Sequence, residues 1–171
     1  MKIDQKWVQA HSLQKILGLL NTDGEEARVA GGAVRNALLD EAIKDVDIAT
    51  TRPPQDVSDL LKTAGHKVVP TGIEHGTVTA VIDGDAYEVT TLRKDVETDG
   101  RHATVSFGRD WTADARRRDF TMNALYMEAD GSVVDPLGGY EDLIKRRVVF
   151  IDDAEMRIRE DYLRILRLFR F

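Results

Sequence analysis

The sequence predicts an α+β domain, because segments with helical spacing of apolar residues alternate with short β-branched segments. Apolar residues between positions 13 and 20 recur at helical spacing and predict a first helix. The alternating segments 77–82 and 86–92 flank Asp83-Gly84, a dipeptide typical of a tight hairpin turn. The 171 residues, of which 42% are hydrophobic, suffice for one ordinary domain with a substantial core.

The composition excludes several classes of protein. There is no cysteine, so neither a disulfide framework nor a thiolate zinc site is available. No apolar run approaches the roughly 20 residues that a membrane-spanning helix needs, and the first residues do not resemble a signal peptide. We therefore expect a cytoplasmic protein without a membrane partner.

Positive charge is concentrated in two places. The formal net charge of −6 argues against an extended nucleic-acid footprint. However, eight basic and five acidic residues lie between positions 145 and 171, and Arg116-Arg117-Arg118 forms a separate cluster. This local distribution suits one phosphate-bearing ligand better than a long duplex.

An acidic segment at positions 44–50 is the main candidate for a metal site. If the segment is a strand, Asp45 and Asp47 share one face, while Val46 and Ile48 face the core. Two carboxylates about 7 Å apart repel each other unless a cation lies between them. Such oxygen ligands suit Mg²⁺, although an Asp-x-Asp pair alone is also typical of an acidic surface turn.

A glycine pair precedes the acidic segment and predicts a phosphate site. Residues 28–30 indicate a short strand, and residues 33–39 a helix, on either side of Gly31-Gly32. Backbone N–H groups at such a junction are open to an anion, and Arg35 adds further donors. A phosphate site and a metal site are thus predicted in one crevice.

Two further segments allow alternative interpretations. Glu88 becomes a third carboxylate and a candidate base if its strand lies beside the acidic one; otherwise it faces solvent. The Arg116–Arg118 cluster precedes a predicted helix, and we expect at least one of these arginines on a triphosphate. A charge run of this kind is more often a solvated face.

Residues 153–171 predict a helix with an apolar stripe. Asp161 and Arg164 lie beside that stripe, three residues apart. They form either a weak surface salt bridge or a rigid donor–acceptor edge that pairs with a nucleotide base. The polar connection 94–111 is typical of functional loops, and the sequence does not separate a loop role from a substrate role for Arg101 and His102.

Five segments together resemble a known family. The sequence is similar to class II tRNA nucleotidyltransferases (CCA-adding enzymes) and bacterial poly(A) polymerases, in the DNA polymerase β superfamily. Each segment alone is a weak to moderate signal, but all occur in the family's order. The segments are residues 31–35, 44–50, 117–124, 135–139 and 160–167.

The resemblance implies a fold and a domain division. It implies a polymerase β-like head, a small mixed sheet with flanking helices, over residues 1–149, and the start of a helical neck over residues 150–171. Family members usually continue through further helices that hold tRNA, so we expect this chain to be the N-terminal part of a longer protein. Asn36 and Tyr162 depart from the residues that are common in the family, but neither is a proposed ligand.

The resemblance also implies roles for individual residues. Asp45 and Asp47 would hold two Mg²⁺ ions, with Glu88 the third carboxylate. Asp161 and Arg164 would pair with the incoming base. The other implied nucleotide-binding residues are Gly31, Gly32, Arg35, Arg118, Asn123, Arg167 and Arg170.

The implied activity is the addition of CMP and AMP, from CTP and ATP, to the 3′ end of tRNA without a nucleic-acid template. A poly(A) polymerase of the same family is the alternative within the enzyme class. A fragment that binds nucleotide without catalysing transfer is the alternative outside it.

Overall fold

Seven strands form a mixed central sheet in the computed structural model, which describes residues 1–95, 105–160 and 163–170. The strands of this sheet are β1 (Ala27–Ala30), β2 (Asp47–Thr50), β3 (Lys67–Gly72), β4 (Thr77–Ile82), β5 (Asp85–Thr91), β8 (Tyr126–Met127) and β9 (Val133–Val134). Their spatial order is β3-β4-β5-β2-β1-β8-β9. A separate two-stranded sheet pairs β6 (Arg93–Asp95) with β7 (Val105–Phe107).

Strand β2 lies at the centre of the sheet and is paired on both sides. It runs antiparallel to β1 and parallel to β5, and the remaining pairs in the sheet are antiparallel. The predicted small mixed sheet with flanking helices is therefore confirmed. The predicted hairpin between β4 and β5 is also present, with positive φ angles of 50° at Asp83 and 88° at Gly84. Positive φ at both central residues is what a two-residue hairpin of the favoured twist requires.

Helices flank the sheet. They are α1 (His11–Leu20), α2 (Gly32–Leu38), α3 (Pro54–Thr63), α4 (Trp111–Arg116), α5 (Gly139–Ile144), α6 (Ala154–Glu160) and α7 (Leu163–Arg170). The apolar faces of α1 and α3 pack on one side of the sheet, where Ile48 of β2 is buried in the main core. Ala49 is buried in a second apolar cluster, with Tyr126 and Trp111. Since side chains alternate along a strand, Asp47 lies on the same side as Ala49 and opposite to Ile48.

Two expectations about local structure are wrong. The acidic strand begins at Asp47, so Asp45 lies just before it rather than within it. No helix begins directly after the arginine cluster: α4 ends within it, at Arg116, and residues 121–123 form only one 3₁₀ turn. The chain instead pairs with the connection at 149–151, because Thr121 N–H donates to Val149 O at 3.0 Å and Ile151 N–H donates to Asp119 O at 2.9 Å.

The C-terminal segment is helical where the structure describes it, as α6 and α7. Residues 161 and 162 lie outside the described residues, and with them the predicted role of Asp161. Arg101 and His102 lie outside them as well. The division of the chain at residues 149 and 150 stays a prediction. Among the described residues no helix is long and apolar enough to cross a membrane, and the cytoplasmic location stays a prediction.

A buried arginine joins three elements beside β2. Only 3% of Arg52 is exposed. Its guanidinium donates to the carbonyl oxygens of Leu20, at 3.0 Å, and of Thr22, at 2.7 Å, and it pairs with Asp56 at 2.8 Å. Arg52 thereby fixes the end of α1 and the start of α3 to the end of β2. Both carbonyls would lose a partner if the guanidinium were removed.

We expect Arg52→Met to lower the free energy of unfolding by about 2–4 kcal/mol, because buried acceptors and a carboxylate lose their donor. Urea denaturation measured by circular dichroism gives this value. The matched control is Lys145→Met, which removes an exposed ion pair with Glu141 and should cost less than about 1 kcal/mol. Equal losses in the two variants would contradict the structural role of Arg52.

Candidate active site

A crevice of about 780 Å³ opens on the side of the sheet opposite to α1 and α3. All sequence-predicted site residues in the described part of the chain line it, so folding brings together segments from 31 to 170. The predicted site residues that line the crevice are Gly31, Gly32, Arg35, Asp45, Asp47, Glu88, Arg118, Asn123, Arg164, Arg167 and Arg170. Asp161, which was predicted to pair with the base, lies outside the described residues.

Carboxylates form one wall of the crevice. The parallel pairing of β2 with β5 places Glu88 directly opposite Asp47, and Asp45 precedes Asp47 by two residues. The pKa of Asp47 is raised above its ordinary value by burial, and next by the negative charges of Glu88 and Asp45. In the described ranges, no three His, Asp or Glu side chains are close enough together to share one metal ion. The wall therefore attracts a cation but does not by itself form a closed metal cage.

The glycine pair forms the turn between β1 and α2. Gly31 has φ 70° and ψ −124°, a conformation that residues with a Cβ rarely adopt. Its N–H donates to Leu125 O at 3.0 Å, so the fold already uses this amide, and a role for Gly31 in nucleotide binding stays a prediction. The helix begins at Gly32, and N–H groups in a first turn have no partner within their helix. A Cβ at Gly31 would lie 3.6 Å from Arg118 Nη1, an ordinary van der Waals distance, so the backbone conformation rather than crowding favours glycine here.

A chain of polar contacts crosses the crevice from α2 to α7. Arg35 Nη1 donates to Asn123 Oδ1 at 2.6 Å, and Asn123 Nδ2 donates to Asp119 Oδ1 at 3.2 Å. The other carboxylate oxygen of Asp119 lies 2.7 Å from Arg167 Nη2. Asp119 is 4% exposed, so this ion pair joins α7 to the interior of the sheet domain. Burial is the main cause of a lowered pKa for Arg35.

A second buried carboxylate, Asp114, holds the arginines that follow α4. Arg117 Nε donates to Asp114 Oδ1 at 3.1 Å, and Arg118 Nη2 donates to Asp114 Oδ2 at 3.2 Å. The Tyr126 hydroxyl donates to Oδ2 at 2.7 Å, and the Arg93 backbone N–H donates to Oδ1 at 3.1 Å. Burial would raise the pKa of Asp114, but the charges of Arg118 and Arg117 and the hydrogen bonds from Arg93 and Tyr126 together outweigh it, so the pKa lies below its ordinary value.

Some crevice residues were missed by the sequence reasoning. Arg93, Lys44 and Asp119 line the crevice but were given no site role. Asp114 was missed too, although its spacing of three and four residues from Arg117 and Arg118 is the spacing of neighbours on a helix. In the arginine cluster, Arg116 is not among the lining residues, while Arg117 and Arg118 are.

The buried charge of Asp114 leads to a testable pH dependence. A folded-state pKa below the unfolded value of about 3.9 stabilises the fold above that value, and the benefit is lost as the pH falls through the folded pKa. We expect Asp114→Asn to cost about 3 kcal/mol at pH 7 and less at pH 3. Urea denaturation of both proteins from pH 7 to pH 3 measures the difference. A difference that does not change with pH would contradict the assignment.

Comparisons with known proteins agree on one family. The sequence profile of the poly A polymerase head domain matches residues 27–149. The chain is 51% identical to "CCA tRNA nucleotidyltransferase 1, mitochondrial" of Danio rerio over 147 residues, which cover 85% of this chain and 34% of the relative. This chain therefore spans only about a third of that protein.

Solved structures show the same fold. The CCA-adding enzyme of Bacillus stearothermophilus in complex with CTP superposes with a TM-score of 0.81 at 42% identity, over 91% of this chain and 37% of that one. A tRNA nucleotidyltransferase complexed with a primer tRNA and an incoming ATP analog gives 0.71 at 28% identity, over 91% and 44%. Together with the profile match, these likenesses show that the chain belongs to the poly A polymerase head domain family, among whose members it resembles the N-terminal part of CCA-adding enzymes.

Proposed function

We propose that this chain is the catalytic part of a nucleotidyltransferase that adds CMP and AMP, from CTP and ATP, to the 3′ end of tRNA. The observation that carries the proposal is the opposition of charges in one crevice: Asp45, Asp47 and Glu88 on one wall, and a row of arginines around them. The relatives named as CCA-adding enzymes, one of them in complex with CTP, support the same activity.

The carboxylate wall suits divalent cations. Asp45 and Asp47 would hold two Mg²⁺ ions, with Glu88 beside them, because Mg²⁺ commonly takes one or two carboxylates and completes its shell with water and substrate phosphate. The raised pKa of Asp47, caused by burial and by the neighbouring carboxylates, fits a site that a cation stabilises. Bound there, such ions would lower the pKa of the attacking hydroxyl and neutralise charge on the departing phosphates.

The side chains supply position and charge. The RNA 3′ hydroxyl attacks the α-phosphorus of the nucleotide, the bond to the β-phosphate oxygen breaks, and pyrophosphate leaves. Arg35 and Arg118 would hold the triphosphate together with the first-turn amide of Gly32, and this fixed geometry provides most of the catalysis. Asp161 and Arg164 would pair with the incoming base, with Asn123, Arg167 and Arg170 beside the nucleotide.

Poly(A) synthesis is the second candidate, because the matching family profile is that of the poly A polymerase head domain. The deciding assay gives the whole protein a tRNA that lacks its terminal CCA, and in parallel an unstructured RNA with ATP. CCA addition predicts that CMP and AMP join the tRNA. Extended addition of AMP to unstructured RNA would favour the alternative.

We expect Asp45→Asn and Asp47→Asn each to reduce transfer by the whole protein at least about 100-fold, because each removes a charged ligand from the metal site. Transfer of labelled CMP to tRNA in Mg²⁺ measures the loss. Circular dichroism should show unchanged folding. Asp142→Asn, outside the crevice, is the control and should keep its activity. Activity within a few-fold of wild type in either crevice variant would remove that residue from the metal site.

We expect Asp161→Ala to relax the choice between CTP and ATP more than it weakens triphosphate binding. The reason is that its carboxylate would contact the base rather than the phosphates. The ratio of CMP to AMP incorporated from equal nucleotide concentrations is the measurement. An unchanged ratio would leave only the salt-bridge interpretation of Asp161 and Arg164.

Binding without catalysis remains the alternative outside the enzyme class for the 171-residue chain. Isothermal titration with CTP and with ATP in Mg²⁺, beside a turnover assay of the same sample, separates the two functions. Binding together with turnover supports the proposal for this chain. Binding without turnover in this chain and in the whole protein would favour the binding module.

A further inference from the structure

The arginines on the phosphate side of the crevice share one buried anchor that does not itself line the crevice. Asp114 is 1% exposed, whereas the Arg117 and Arg118 side chains are 19% and 23% exposed. All three belong to α4 or to the two residues that follow it, so the arginines extend from the end of that helix into the crevice.

The hydrogen bonds to Asp114 use the same edge of both guanidinium groups. Arg117 approaches Oδ1 with Nε and Nη2, both at 3.1 Å. Arg118 approaches Oδ2 with Nε at 3.4 Å and Nη2 at 3.2 Å. The Nη1 atom of Arg118 is not on that edge and lies 3.6 Å from where a Cβ on Gly31 would lie. The anchor therefore fixes one edge of that guanidinium while another is directed to the turn.

The anchor is itself held in place. The buried Tyr126 hydroxyl donates to Oδ2, and the Tyr126 ring lies 5.4 Å from the Arg118 guanidinium carbon. Trp111 packs edge-on against that ring at 5.1 Å. The Arg93 backbone N–H donates to Oδ1, which connects β6 to the same carboxylate. One carboxylate thus positions three arginine residues that line the crevice.

We infer that Asp114 is a positioning residue for triphosphate recognition: it holds Arg117 and Arg118 in their binding orientation before the ligand arrives. This inference rests on the proposed nucleotide site. Long arginine side chains lose rotamer freedom when they bind an anion, and a buried partner removes that cost in advance. The opposite view is that Asp114 merely neutralises positive charge. In that case its removal would strengthen the attraction for a triphosphate.

The two views predict opposite results for Asp114→Asn, which keeps the size of the side chain and removes its charge. Positioning predicts that CTP binding in Mg²⁺, measured by isothermal titration with the 171-residue chain, weakens about tenfold. CMP binding should weaken less than about threefold, because one phosphate uses fewer guanidinium donors. Tighter or unchanged CTP binding by the folded variant would overturn the inference.

Two control variants separate positioning from general destabilisation. Leu17→Ala opens a cavity in the main core, away from the crevice, and should leave CTP binding unchanged although it lowers stability. Tyr126→Phe removes one hydrogen bond to Asp114 but keeps its charge and both arginine pairs, and should change CTP binding less than threefold. Weakening of CTP binding in Leu17→Ala as large as that in Asp114→Asn would also overturn the inference.

A measurement on the wild-type chain tests whether Arg117 and Arg118 are positioned in advance, even if Asp114→Asn does not fold. Nitrogen-15 NMR reports rotation about the Nε–Cζ bond of each arginine. Positioning predicts slow rotation for Arg117 and Arg118 before any ligand is added, and fast rotation of both would refute it. If the wild-type chain shows slow rotation but binds neither CTP nor tripolyphosphate, the proposed nucleotide site fails while the anchoring by Asp114 stands.

Discussion

The pairing of β2 between β1 and β5 is the constraint on which the crevice depends. On one side the antiparallel register sets Asp47 opposite Ala30, the residue just before the glycine turn. On the other side the parallel register sets Asp47 opposite Glu88. Neighbouring strands lie about 4.8 Å apart, so these two registers alone bring acidic groups and the turn to α2 within reach of one ligand.

Buried carboxylates organise the positively charged side of the crevice. Asp114 and Asp119 are almost fully buried, and each pairs with arginines that line the crevice. A buried charge is costly unless it is paired and hydrogen-bonded, and each of these carboxylates accepts several hydrogen bonds. The cost of burying each anion is therefore offset by the arginines that it orders, and those arginines keep exposed edges toward the crevice.

On the carboxylate wall, in contrast, the charged side chains lie beside groups of the same sign. Asp45, Asp47 and Glu88 line the crevice, and the neighbouring negative charges contribute to the raised pKa of Asp47. Repulsion of this kind favours either protonation of one carboxyl or the binding of a cation. The two halves of the crevice thus differ in their chemistry: the arginines are held by internal anions, whereas the aspartates suit an external cation.

Features that depend on neighbours along the chain follow directly from the sequence. Alternation along one strand puts Asp47 on the face opposite to Ile48, the Asp83-Gly84 turn requires positive φ, and the glycine pair between a strand and a helix follows from local conformational preference. Local preference predicted a helix at residues 120–126, but the structure has only one 3₁₀ turn there. Hydrogen bonds to the connection at 149–151 form instead.

The meeting of distant segments, in contrast, follows from the folded structure. The register that sets Glu88 against Asp47, the ion pair of Arg167 with Asp119, and the use of the Gly31 amide by Leu125 all join residues far apart in the chain. A local pattern carries no information about strand order, or about which carboxylate far along the chain a guanidinium will reach. Those choices depend on the packing of the whole core, because burial and the pairing of buried charges are properties of the complete fold.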